Sequence, residues 1–274
     1  MRLVLMATMA ATAATATLAI APTPSRAADP SPSLNSPTKG AALPITCGEG
    51  LEAITSDACF APPAHDSGRP APGPAPLLLY LHGLYQPEAM REELDRQTRV
   101  AKRASARGYA VLALRGPLGA CDTRGDHRGW FCWPSNEQVS GHGAEVVASW
   151  KEPLARARAR VGHGKTFVLG FSNGAYFAAL MAVRDLFPAS AYVIAQGGPV
   201  EPVHALGNRA PILLLSTNEE APIVHAEMDR FGSELASDGW SFVQEERTGG
   251  HELNEQDVAA ALDFFDEPSH DALH

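Results

Sequence analysis

The chain has 274 residues and a formal net charge of −9, with 45% hydrophobic and 19% charged residues. That is enough for one sizeable domain with its own core, and the balance excludes an intrinsically disordered chain. No basic stripe is present to neutralise phosphates, which argues against nucleic acid as a partner.

Residues 1–28 read as a signal peptide. Arg2 precedes an uncharged Ala/Thr/Leu/Met run, and Ser25, Arg26 and Ala27 offer a small-residue cleavage site after Ala27 or Ala28. An uncleaved anchor is the competing reading, but the run is only moderately apolar, so stable membrane insertion after cleavage is not expected. Residues 29–44 are a Pro/Ser-rich flexible lead-in, and 45–274 are expected to form a single domain. The four cysteines fall into two local pairs, Cys47 with Cys59 and Cys121 with Cys132. Sequence alone does not choose their connectivity. Local disulfides are the economical expectation in an oxidising compartment, and the absence of C-x-x-C spacing disfavours zinc.

Residues 45–60 carry the first cysteine pair and one or two weak edge strands. Prolines crowd 61–76 and rule out a helix or central strand there. From residue 77 the pattern alternates. Strands are expected at 77–82, 109–114, 166–169, 191–195, 211–216 and 240–246. Helices are expected at 88–107, 145–161, 175–186, 224–235 and 254–265, the second kinked at Pro153 or beginning there. A long loop at 116–134 holds the second cysteine pair. Short apolar strands separated by helices imply an α/β fold: a mostly parallel central sheet with helices on both faces. Chemistry then belongs at the carboxyl ends of the strands.

Gly170-Phe171-Ser172-Asn173-Gly174 joins a buried strand to a helix, the context of a nucleophile elbow. A serine on so sharp a turn needs small residues two positions either side, and the turn aims its hydroxyl at the helix N-terminus. Serine needs a base, and His251 follows two glycines in the loop after the last strand. A carboxylate must orient that histidine. It is expected after the strand 211–216, where Glu219 is the first choice and Glu220 the second. Backbone N–H groups of Asn173 and Leu84 are the candidate oxyanion donors, with Gly83 permitting the turn and Tyr85 lining an acyl pocket. His82 reads as structural. Trp130, Phe131 and Trp133 concentrate aromatics on the 116–134 loop. Trp130 and Trp133 either line the substrate site or pack the loop onto the body, and the sequence leaves both open.

Together, Leu81-His82-Gly83, the G-x-S-x-G segment and Gly249-Gly250-His251 resemble the α/β-hydrolase superfamily over about residues 77–265. The chain looks most like its secreted esterase branch of polyhydroxybutyrate depolymerases, feruloyl and acetylxylan esterases, with dienelactone-hydrolase-like proteins nearby. In that branch the acid is usually aspartate, whereas here Ser216-Thr217-Asn218-Glu219 offers glutamate. The resemblance implies an α/β-hydrolase fold and serine ester hydrolysis without a cofactor or metal, on a small-molecule or polymeric ester. The expected location is secreted or periplasmic. A peptidase or acyltransferase with the same triad, or a silent hydrolase fold used for binding, are the rivals.

Overall fold

A computed structural model of the protein describes residues 44–64, 73–123, 125–136, 140–199 and 209–267. The expected signal peptide and all but the last residue of the lead-in lie outside these. Eight strands, β1 (Glu52–Ala53), β2 (Ala58–Ala61), β3 (Leu77–Leu81), β4 (Ala110–Leu114), β5 (Thr166–Phe171), β6 (Ala191–Ala195), β7 (Ile212–Thr217) and β8 (Phe242–Arg247), form one sheet. Their order is β1-β2-β4-β3-β5-β6-β7-β8. β1 and β2 run antiparallel to their neighbours, and β3 to β8 pair parallel.

The central strands are apolar at nearly every position because both faces are covered. Successive side chains leave opposite faces, so Leu77, Leu79 and Leu81 of β3 enter one core while Leu78 and Tyr80 enter the other. The first core is closed by α2 (Gly143–Ser149), α3 (Lys151–Val161), α4 (Asn173–Val183) and α5 (Pro222–Ser237). The second is closed by α1 (Met90–Ala106) and α6 (Glu255–Phe265). Burying each such leucine stabilises the fold by roughly 1.5–3 kcal/mol. The edge strand β8 instead presents Gln244, Glu245 and Glu246, side chains that discourage pairing with another chain.

Several details depart from the sequence pattern or add to it. The helix expected over 145–161 is two helices meeting at Trp150, with Pro153 in the first turn of α3, where its missing N–H costs nothing. β5 runs on to Phe171 and α4 begins at Asn173, leaving Ser172 alone as the turn. β2 is an interior strand, not an edge. α6 starts at a reciprocal cap: Asn254 Oδ1 accepts from the N–H groups of Gln256 and Asp257, and Asp257 Oδ2 accepts from that of Asn254.

Cys47 is disulfide-bonded to Cys59 and Cys121 to Cys132, each with a Cα–Cα distance of 5.7 Å. Among the described residues, no helix is long and apolar enough to cross a membrane.

Candidate active site

Ser172 sits at φ 52°, ψ −120°, a backbone conformation an L-residue adopts only when its surroundings force it. The forcing is visible. Ser172 N–H donates to Ala195 O at 2.9 Å, and its carbonyl accepts from Ala175 and Tyr176. A Cβ at Gly170 would collide with the Gly174 carbonyl, and one at Gly174 with the Leu81 carbonyl, so both glycines are required by close backbone approach.

His251 stands in the loop between β8 and α6. Its Nε2 lies 2.8 Å from Ser172 Oγ, and its Nδ1 lies 2.6 Å from Glu220 Oε2. With the Glu220 carboxylate accepting, Nδ1 carries the proton and Nε2 is left to accept from the serine hydroxyl. Glu220 is the second-choice acid of the sequence pattern, and the first choice, Glu219, does not meet the histidine. The reason is the path of the turn after β7. Asn218 and Glu219 donate their N–H groups to Arg247 O and Gly249 O, which spends those residues on joining the two loops. Glu219 is exposed, while the Glu220 side chain is only 3% exposed and its Oε1 accepts from the N–H of Ala221, just ahead of α5. A carboxylate beside a helix N-terminus is favoured by the helix dipole.

The segments that carry the two candidate oxyanion donors, Leu84 and Asn173, both border the serine. A Cβ on Gly83 would lie 3.2 Å from Ser172 Cβ, so the loop after β3 runs directly against Ser172. The N–H of Asn173, as first residue of α4, has no partner within its helix. His82 fixes the loop. Its Nε2 accepts from the Gly116 N–H at 2.8 Å and its Nδ1 donates to Gly83 O at 2.5 Å. Because a peptide's C=O and N–H point in opposite directions, holding Gly83 O fixes where the Leu84 N–H points. Complete burial pulls the His82 pKa down to about 3, so the ring stays neutral and keeps both bonds.

No protein-family model and no curated protein sequence matches the chain. Solved structures do. YahD with malic acid aligns at TM-score 0.53 with 18% identity, covering 76% of this chain and 97% of that one. The Bacillus cereus carboxylesterase aligns at 0.53 and 15% over 76% and 92%, and esterase PE8 at 0.52 and 18% over 75% and 95%. The chain has the α/β-hydrolase fold. Within it, the serine follows β5, the acid β7 and the histidine β8, in the chain order Ser, acid, His associated with this fold.

Of the three aromatic residues expected to line the substrate site, Trp133 packs inward. It is fully buried and stacks on Phe177 at 5.5 Å with the rings 6° apart, so it belongs to the core beneath the elbow. Its indole N–H donates to His82 O, and its backbone N–H to Asn173 Oδ1 at 2.7 Å. Asn173 Nδ2 in turn donates to Ser135 Oγ at 2.7 Å. Tyr85 is 8% exposed, wedged between His82 and Phe131, with which it forms a backbone bridge. Trp130 is half-buried against His127 of its own loop.

One buried group had no motif to announce it. Glu93, on α1, takes Tyr80 Oη and Gln97 Nε2 at 3.4 Å and Arg96 Nε at 3.1 Å, and burial pushes its pKa up to about 7. Arg96 lies over the Phe171 ring, which packs 5.2 Å from the His251 ring. The sequence shows Glu93 only as one more charge on an amphipathic helix.

Proposed function

We propose that the chain is a serine esterase that cleaves carboxylic esters through an acyl-enzyme, with Ser172 as nucleophile, His251 as base and Glu220 as orienting acid. The observation that carries this reading is the continuous chain of hydrogen bonds from Glu220 through His251 to Ser172, at 2.6 and 2.8 Å, on a strained elbow. Ser172 Oγ attacks the ester carbonyl as His251 Nε2 takes its proton. Glu220 stabilises the resulting imidazolium. The carbonyl oxygen becomes an alkoxide held by the N–H groups of Leu84 and Asn173. Collapse expels the alcohol, which receives the proton from His251. A water then attacks the acyl-enzyme by the same route, releasing the acid and restoring the serine.

The likeness to a carboxylesterase and to esterase PE8 supports this chemistry through the shared fold. Two disulfides suit an oxidising compartment, which supports export of the protein. The substrate class we infer is a short-chain, polyester-related or phenolic ester.

The test is turnover of p-nitrophenyl esters from acetate to decanoate by the protein and its Ser172→Ala variant. Hydrolysis of the short esters that vanishes in the variant is expected. Equal turnover by both proteins would refute the serine mechanism.

A further inference from the structure

Three non-glycine residues among those described have positive φ: Ser172, Asp185 and Gln196. Ser172 is explained by the elbow, and Asp185 lies in the turn after α4. Gln196, at φ 58°, follows the last residue of β6 and is 1% exposed. A left-handed glutamine in the interior is unfavourable in itself, and its Oε1 adds to that by being buried with no hydrogen-bond partner. Glycine would relieve the backbone, and leucine would remove the unpaired oxygen. What glutamine supplies and they do not is a long-reaching N–H donor, and the structure uses it: Nε2 donates to Glu252 O at 2.7 Å. Turning the amide over would set two oxygens against each other, so the acceptor decides its orientation.

Its connections reach all three arms of the candidate triad. The preceding carbonyl, Ala195 O, accepts from Ser172 N–H. The Gln196 N–H donates to Leu215 O of β7, the strand that leads to Glu220. Its side chain holds the residue after His251. That third link matters most, because beyond the Phe171 ring against His251 and the buried Leu253 the histidine loop has little packing to fix it. The His251 side chain is 44% exposed, and Cβ atoms added at Gly249 or Gly250 would meet nothing within 4 Å. Upstream of His251 the loop is pinned by Asn218 Oδ1 and the Glu219 N–H to Gly249. Downstream it is held by Gln196 at Glu252 O and by Arg99 at Leu253 O.

We propose that Gln196 is a positioning residue, which anchors the histidine loop so that His251 Nε2 stays within reach of Ser172 Oγ. This rests on the esterase reading above. It acts through His251 and touches no substrate.

The experiment compares the wild-type protein with Gln196→Gly and Gln196→Leu, reading kcat, KM, the rate of labelling by a fluorophosphonate, and the melting temperature. Gly relieves the backbone and Leu fills the space, so the two differ in their effect on stability and share only the loss of the anchor. Both are expected to lose roughly 10- to 100-fold in kcat and in labelling rate, the scale set by a small misplacement of a reacting group, with KM changed by less than about threefold. Wild-type kcat and labelling in either variant would overturn the proposal, as would a rise in KM alone or losses that match the unfolded fraction. If the wild-type protein itself neither turns over esters nor labels, the esterase reading fails and the inference with it. If the wild type labels and the variants label equally fast, the inference alone fails.

Discussion

On one side of Ser172, the proposed oxyanion donors are held from within the core. His82 grips Gly83, Phe131 bridges Tyr85, and Trp133 binds both His82 O and the side chain of Asn173. On the other side, His251 rides a glycine-containing loop at the surface, fixed by a few hydrogen bonds at its ends. Both sides must be placed to within a fraction of an ångström, yet one is placed mainly from within the core and the other mainly by single bonds at the surface. Damage to the first should therefore register as lost stability, and damage to the second as lost turnover in a protein that remains folded.

The largest contrast is expected on the histidine side. His251→Ala should lower kcat by roughly 10⁶-fold and Glu220→Gln by roughly 10⁴-fold, with unfolding curves close to wild type. Glu219→Gln, one residue away and exposed, should change kcat by less than about twofold. Steady-state kinetics on one short ester distinguish these, and equal losses for the two glutamates would assign the acid differently.

On the packed side, Trp133→Ala removes a fully buried ring and should cost about 3–5 kcal/mol in chemical denaturation. Trp130→Ala, half-buried on its own loop, should cost less than about 1 kcal/mol. A large loss at Trp130 would mean that the loop is anchored by a different ring.

The same side should also be sensitive to acid. The His82 pKa is lowered from an unfolded value near 6.5 to about 3, so the unfolded chain binds the proton first as pH falls. Stability contributed by the neutral ring is complete above about pH 6.5 and is lost as pH drops toward 3. By pH 4 the loss is on the order of 3 kcal/mol. Thermal melting from pH 7 to pH 4 should fall more steeply for the wild type than for His82→Gln, and parallel slopes would contradict the assignment.

The two disulfides offer the finest comparison. Each closes a short loop, 12 residues apart for Cys47–Cys59 and 11 for Cys121–Cys132, so removing either by paired Cys→Ser changes should cost about 2–3 kcal/mol. Only the second abuts Phe131 and Trp133. Its loss should lower kcat several-fold, while loss of the first leaves kcat unchanged in the folded protein. A kcat decrease common to both would show that the oxyanion side is not specifically stapled.

The parts of this arrangement that local chemistry dictates could be read in the chain itself. Buried parallel strands must be apolar, so Leu77–Leu81 and Ala191–Ala195 stand out, and an elbow must have glycines where Gly170 and Gly174 are. The proposed acid was harder, because Glu219 and Glu220 are adjacent and equally acidic. The choice depends on two backbone bonds from Asn218 and Glu219 to the β8 side, a tertiary fact with no sequence signature. Trp133 lay beyond reach for a similar reason: its stacking partner Phe177 is on α4, and nothing near Trp133 indicates which way its ring turns. Gln196 gave no signal at all, since a polar residue after a strand reads as the start of a surface loop.

The central claim is that Ser172 is a nucleophile activated by His251, and intact-mass and peptide mass spectrometry after fluorophosphonate treatment test it most directly. One adduct per chain, located on Ser172 and formed far more slowly in His251→Ala, is the expected result. An unlabelled wild-type protein, or an adduct on another residue, would contradict it.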